Sequence, residues 1–247
     1  MLTITDSIAR LTISRPEARN ALSLDLLNAL HADVDRLHAL PESQRPTVVV
    51  LTGEGKAFCA GMDLKQVLGN PEGSRNLLRS LASLTFKLRT LPSVVLGVVN
   101  GPAIGGGCGL VTVCDLAITF SDNKMGFPEV DLGVCPAVVA PWLVRKVGPG
   151  PARRILLMGG LISGLEAHQA GIVTHLCPTQ AELAAQSEAM ITRLATGSLN
   201  ALKATKHLLN QLDGSLDEAV LLRAADLSAD VLNTPQTQEM LKKKLGS

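Results

Sequence analysis

The segment VNGPAIGGGCGLVTVCDLAI, residues 99–118, carries more structural information than any other in the chain. An apolar β-branched run, SVVLGVV at residues 93–99, leads into it. Three consecutive glycines, Gly105, Gly106 and Gly107, then interrupt the hydrophobic pattern just where a short apolar helix would begin. A second apolar run at residues 116–120 closes the unit, so the order is strand, glycine-rich turn, helix, strand. Backbone N–H groups at such a turn face outward at the positive end of a helix dipole, a setting that favours negative charge.

The same order occurs once before, in TVVVLTGEGKAFCAGMDL at residues 47–64. Its β-branched run shows no polar alternation, which predicts a strand buried on both faces. Between the two units, Leu77, Leu81, Leu84, Leu88 and Leu91 mark one face of a helix. Upstream, Leu2, Ile4, Ile8, Leu11 and Ile13 suggest a strand hairpin, and Ser23 caps a helix with Leu27, Leu30, Val34 and Leu37 on its buried stripe. Alternating strands and helices with stacked neighbouring units argue for an α/β fold built as layers or turns of a spiral. From Pro178 onward, helical periodicity dominates residues 181–194, 200–212 and 216–231, with Gly197 and Gly214 as breaks. The expected division is an α/β core over residues 1–177 and a helical region over residues 178–247.

Composition narrows the function. The chain has 247 residues, a formal charge of +1, no tyrosine and 2% aromatic residues, so it offers neither a basic footprint nor stacking platforms for nucleic acid. No apolar run approaches the ~20 residues of a membrane span. The opening MLTITDSIARLTI lacks a basic flank followed by an apolar core, and a cytoplasmic protein without membrane association is expected. The five cysteines, Cys59, Cys108, Cys114, Cys135 and Cys177, form no CxxC pair and read as buried thiols rather than disulfides or zinc ligands. His31 and His38 share a helix with no third ligand nearby, so no metal site is expected.

Neither glycine-rich loop fits a phosphate cradle, since GEGKAF lacks the GxxxxGK[ST] spacing and GPAIGGGCGL lacks GxGxxG. An oxyanion hole for a reacting carbonyl remains, with one N–H near Met62 and one near Gly106. Glycine would serve there by adopting positive φ and by letting substrate reach the backbone without a Cβ in the way. A glycine-rich turn can equally be only a tight turn. Downstream, Glu129 follows Phe127 and Pro128 and precedes Val130, Leu132, Val134 and Cys135. A carboxylate among apolar residues has its pKa raised toward the working pH, which suits proton transfer. A surface position after a proline turn is the other reading, and the residues alone leave both open.

The motifs RPEARNALS (residues 15–23), GEGKAFCAGMDL (53–64), the 99–118 segment, FPEVDLGVCP (127–136) and GLEAHQAGIV (164–173) together resemble the crotonase, or enoyl-CoA hydratase/isomerase, superfamily over nearly the whole chain. The resemblance implies a spiral of ββα units with a helical C-terminal region used for oligomerisation and for capping the active site. It implies an acyl-CoA substrate, assembly as a homotrimer or dimer of trimers, no metal, and no cofactor beyond the coenzyme A of the thioester itself. It assigns the oxyanion donors to the backbone N–H groups of Met62 and Gly106 and the catalytic carboxylate to Glu129. Substrate contacts are implied at Arg19, Ala21, Lys56, Phe58 and Ala60, the CoA-binding stretches. Further contacts are implied at Asp63, Leu64, Gly105, Gly107 and Pro136. Lys242, Lys243 and Lys244, otherwise a solvated charge run, are placed where they could reach a CoA phosphate.

Family members that hydrate enoyl-CoA carry a second glutamate directly after GGGC, and this chain has Gly109 there. The resemblance therefore favours a one-glutamate isomerase that moves a double bond from the 3 to the 2 position, in fatty acid β-oxidation chemistry. An enoyl-CoA hydratase (lyase) of fatty acid or branched-chain amino acid degradation, or a catalytically degenerate acyl-CoA-binding protein, are the alternatives. Related hydrolases and dienoyl isomerases place an aspartate eight residues beyond the glutamate, where this chain has Ala137. Asp131 is assigned no more than a local hydrogen bond. Acyl length would depend on residues 67–84 and 138–144, with Phe86 and Trp142 as lining or as core.

Overall fold

Residues 48–53 have no polar face to turn toward water, so the strand they form must lie between two packed layers. The computed structural model describes residues 1–246. Its first half contains β1 (Leu2–Thr5), β2 (Ile8–Ile13), α1 (Leu24–Ala39), β3 (Val48–Gly53), α2 (Leu64–Val67), α3 (Pro71–Thr90), β4 (Val94–Val98), β5 (Ala103–Ile104) and α4 (Gly106–Val113). There follow β6 (Leu116–Phe120), β7 (Lys124–Gly126), α5 (Ala140–Val147), α6 (Pro149–Met158), β8 (Leu161–Ser163), α7 (Gly164–Gln169) and β9 (His175–Cys177). Four helices end the chain: α8 (Gln180–Ala195), α9 (Leu199–Leu212), α10 (Glu218–Leu232) and α11 (Pro235–Leu245).

A six-stranded sheet runs β1-β2-β3-β4-β6-β9, and a three-stranded sheet runs β5-β7-β8. Only β1–β2 in the large sheet and β7–β8 in the small one are antiparallel. The chain winds between the two. After β3 it reaches Cys59, which bridges to Ala103 of β5, and after β2 it reaches Leu22, which bridges to Met62. After β4 comes β5, and after β6 comes β7, so each turn adds one segment to each layer before a helix closes it. This is the expected ββα spiral, with α1, α3, α4 and α5 closing successive turns.

The alternating residues of β3 divide between two cores. Val49 and Leu51 join the main core with α1, α3 and α4, whereas Val48 and Val50 pack with Leu96, Ile118, Leu183 and Ile191 beneath α8. The C-terminal helices therefore cover this chain's own core, and α10 lies along α3 through ion pairs of Arg75 and Arg79 with Asp226 (2.9 and 2.7 Å). No helix among the described residues is long and apolar enough to cross a membrane. The cysteines are free, all but Cys135 fully buried, and burial pushes the Cys59 and Cys114 thiols up to about 12. Trp142 is core, its Nε1 donating to Thr85 Oγ1 at 2.9 Å.

Asn20 bolts the loop after β2 to the loop after β3. It is fully buried at φ 58°, a left-handed conformation that asparagine tolerates better than most residues. Its Nδ2 donates to the carbonyls of Glu54 (3.0 Å) and Ala57 (2.8 Å), and its Oδ1 accepts the Arg15 N–H at 2.8 Å. Asn20→Ala strands several buried backbone groups at once, each worth ~1–3 kcal/mol. It should lower unfolding stability by about 3 kcal/mol, read by denaturant titration, with the loss of substrate affinity exceeding the loss of turnover in the remaining folded protein.

Candidate active site

Backbone geometry brings the two glycine-rich loops into contact. Gly61 sits at φ 88°, and a Cβ there would lie 2.7 Å from Ile104 O and 3.8 Å from Gly106 N. The Leu22 N–H donates to Gly61 O at 2.7 Å and the Asp63 N–H to Leu22 O at 2.9 Å. In a parallel ladder the intervening residue turns its N–H away from the partner, which leaves the Met62 N–H without an acceptor among the described residues. The Gly106 N–H is likewise free, because the first amides of a helix have no intrahelical acceptor. Two unspent donors thus stand on adjoining loops, one from each turn of the spiral.

Glu129 lies against the second of these loops, next to Gly105. It precedes a single 3-10 turn, Val130–Leu132, that ends at Gly133 with φ 73°, and its carbonyl accepts from Leu132 N–H (3.0 Å) and Val134 N–H (2.8 Å). Its carboxylate lies over Gly105: a Cβ on Gly105 would be 2.9 Å from Oε1. Oε2 is withdrawn from solvent and has no protein partner. Burial pushes the carboxyl pKa up to about 7, against the opposing effect of its own backbone N–H. A buried carboxylate with an unused oxygen beside two unused amide donors can exchange a proton with a molecule whose carbonyl those donors hold.

Protein neighbours by themselves require these glycines to be bare. Gly105 has φ 54° and meets Glu129, a Cβ on Gly106 would touch Leu81 and Leu22 at 3.1 and 3.2 Å, and one on Gly107 would collide with Cys59 O. Gly109 is bare for a further reason: a Cβ there would overlap Val139 Cγ1. Ala137 is buried, and Asp131 accepts the Gly160 N–H on its Oδ2 at 2.8 Å, a tertiary contact across 29 residues where only a local hydrogen bond was expected.

The remaining residues singled out from the sequence fall into four groups. Arg19 (φ 51°), Ala21 and Ala60 line the junction of the first two loops, where the Ala60 N–H donates to Arg19 O at 3.0 Å, and Lys56 is exposed at its edge. Asp63 caps α2, which Leu64 begins, and pairs with Arg15 at 2.8 Å, while Pro136 is half-buried on the way to α5. Phe58 belongs to the core: its side chain is fully buried and its N–H is spent on Pro102 O. Of the terminal lysines, Lys244 donates to Asp131 O at 2.8 Å and Lys243 pairs with Glu239 at 2.9 Å, with Lys242 exposed.

Sequence reasoning missed the arm that holds the Glu129 turn. From α11, Thr237 Oγ1 donates to Gly133 O at 2.9 Å and Met240 Sδ stands 2.9 Å from where a Gly133 Cβ would be. No local signal links residues a hundred positions apart. No cluster of three or more potential metal-ligating side chains occurs among the described residues, and the His31 and His38 Nε2 atoms rest on the carbonyls of Ser80 and Lys87.

Known proteins agree with this architecture. The model of the enoyl-CoA hydratase/isomerase family matches residues 3–246. A Thermus thermophilus protein named "Putative enoyl-CoA hydratase" is 35% identical over 240 residues, 95% of this chain and 93% of that one. The 2,3-dehydroadipyl-CoA hydratase of Escherichia coli is 33% identical over 202 residues, 81% of this chain and 77% of its own. The crystal structure of an enoyl-CoA hydratase from Mycobacterium avium subsp. paratuberculosis superposes with a TM-score of 0.87 at 24% identity, covering 98% and 97% of the two chains, a likeness of fold.

Glu129 also makes stability pH-dependent in a defined direction. Its carboxyl is raised from 4.5 to about 7 in the folded chain. Between these values the folded state holds a proton that the unfolded state releases, so the stability it contributes is present below pH 4.5 and lost as pH rises through about 7. Glu129→Gln removes that dependence. At pH 8 the variant should be more stable than the wild type by about 3 kcal/mol, with the difference vanishing at acid pH, measured by denaturant unfolding at both.

Proposed function

The chain belongs to the enoyl-CoA hydratase/isomerase family, and from that premise we propose that it isomerises 3-enoyl-CoA to 2-enoyl-CoA with Glu129 as its one catalytic carboxylate. The observation that carries this reading is the single buried carboxylate over Gly105, beside two unspent amides and with Val139 standing where a second acid would project from position 109.

In this mechanism the thioester oxygen accepts the Met62 and Gly106 N–H groups. Glu129 takes the proton from C2, the C2–H pair enters conjugation, and the oxygen carries the enolate charge. The same carboxyl then returns its proton at C4, and the double bond comes to rest between C2 and C3. Each oxyanion donor supplies roughly 3 kcal/mol to the charged intermediate. One carboxyl suffices because it finishes the cycle in its starting state. The coenzyme A part would lie along Arg19 and Ala21 and past the exposed Lys56 and the 56–60 backbone.

Hydration is the second reading, favoured by the names of the relatives. It needs a group to orient and deprotonate water as well as one to protonate C2, and loss of one such group costs roughly a hundred- to ten-thousandfold in rate. Asp131, occupied at Gly160, does not supply it. A third reading, a binding protein without turnover, leaves the raised pKa of Glu129 without use. For assembly we propose a trimer or paired trimers. The exposed leucines Leu208, Leu209 and Leu212 on α9 and Leu227 on α10 support an interface within residues 178–247.

Purified protein given 3-enoyl-CoA should form the conjugated 2-enoyl thioester, while 2-enoyl-CoA should gain water slowly or not at all. Rapid hydration without double-bond migration would overturn this order. Glu129→Gln should lose isomerisation by roughly a hundred- to ten-thousandfold while still binding acyl-CoA. Because the base must be ionised, kcat/KM should fall below about pH 7, as a rate profile against pH will show.

A further inference from the structure

Gly105, the N-cap of α4 at φ 54°, and Gly109, one turn into the helix, are joined by the Gly109 N–H to Gly105 O bond at 2.9 Å. Glu129 covers the first position and Val139 the second. Position 109 therefore lies one helical turn along the backbone from the residue that Glu129 covers. That place is filled. A Cβ on Gly109 would overlap Val139 Cγ1 and lie 3.3 Å from Val139 Cβ.

Val139 cannot easily withdraw. It is 4% exposed at the start of α5, with its carbonyl accepting the Leu143 N–H at 3.0 Å, and its β-branched side chain has few rotamers. The helix it begins is fastened on three sides. Trp142 Nε1 donates to Thr85 Oγ1 of α3 at 2.9 Å, and the preceding Val138 N–H donates to Ser228 Oγ of α10 at 3.3 Å. At the far end Lys146 Nζ donates to Cys114 O, just past α4, at 2.6 Å. Close packing of α5 on α4 and the absence of a side chain at 109 are thus two sides of one contact.

We propose that Val139 is the specificity-determining residue of this site: it occupies the volume of a second carboxylate and so confines the chemistry to proton transfer by Glu129. The proposal rests on the reading of Glu129 as the group facing the thioester, and it states that glycine at 109 is only half of the departure from a two-acid site. A glutamate introduced at 109 would have to displace Val139 before it could hold water. With Val139 reduced, water could add across the 2-enoyl double bond. Its oxygen would bond to C3 and its proton pass to the introduced carboxylate, while the π pair takes the Glu129 proton at C2.

Two measurements test this separately. In a melting-temperature cycle, Gly109→Ala should lower the transition by several degrees in the wild type but by clearly less in a Val139→Ala background. Equal losses in both backgrounds would show that Val139 does not hold the space, whatever Glu129 does. In an activity assay on 2-enoyl-CoA, Gly109→Glu with Val139→Gly should add water on the order of a hundredfold faster than Gly109→Glu alone. Equal rates would overturn the assignment of specificity to Val139. The melting cycle does not involve turnover, so coupling there together with retained isomerase activity in Glu129→Gln would locate the error in the reading of Glu129 instead.

Discussion

Everything at the site depends on how closely two stretches of backbone approach, the Cys59–Met62 loop and the start of α4. Gly107 packs on the Cys59 carbonyl and Gly61 on the Ile104 carbonyl, and a methyl group at either point would force the loops apart. A gap of that size would also separate the Met62 and Gly106 amides, the two donors without acceptors on these loops. The bare backbone that looks like an accommodation to substrate is first an accommodation of the protein to itself. The electrostatic feature follows from it, since two N–H groups without acceptors persist only where function or solvent supplies one.

Glu129 completes the arrangement through an opposite kind of strain. A carboxylate with one oxygen buried and unpaired is unfavourable in its charged form, and the raised pKa expresses that cost. The same burial makes the group a usable base near neutral pH. The chain maintains it through an anchored turn: Gly133 in a left-handed conformation, Thr237 on its carbonyl, and Lys244 on the carbonyl of Asp131. The terminal lysines illustrate how a charge run can be partly structural, with Lys244 spent on a backbone oxygen of the very turn that presents Glu129.

The helices past residue 178 do two jobs that their amphipathic pattern does not distinguish. Helix α8 seals the outer face of the large sheet, over Val48, Val50 and Ile118, and α10 with α11 closes on α3 and the Glu129 turn. Buried Lys206 ties α9 inward by pairing with Asp115 at 2.7 Å. What these helices leave outward is a leucine-bearing surface, and an apolar face of that kind is more typical of an interface than of solvent.

The long β-branched runs at residues 48–53, 94–98 and 116–120 and the leucine periodicity of α1 and α3 were legible because hydrophobic pattern is a local property, set by the same residues that form each element. So were the glycine loops, and with the other motifs the family, whereas the burial of Glu129 was left open by its sequence neighbours and decided by packing. The short strands β5 and β7, two and three residues long, carry no periodicity and exist only because neighbouring turns of the spiral stack. Gly109 could be read from the sequence as an absence, but not the reason for it. Residues thirty positions apart compete for one volume, and only packing in three dimensions decides that Val139 holds it.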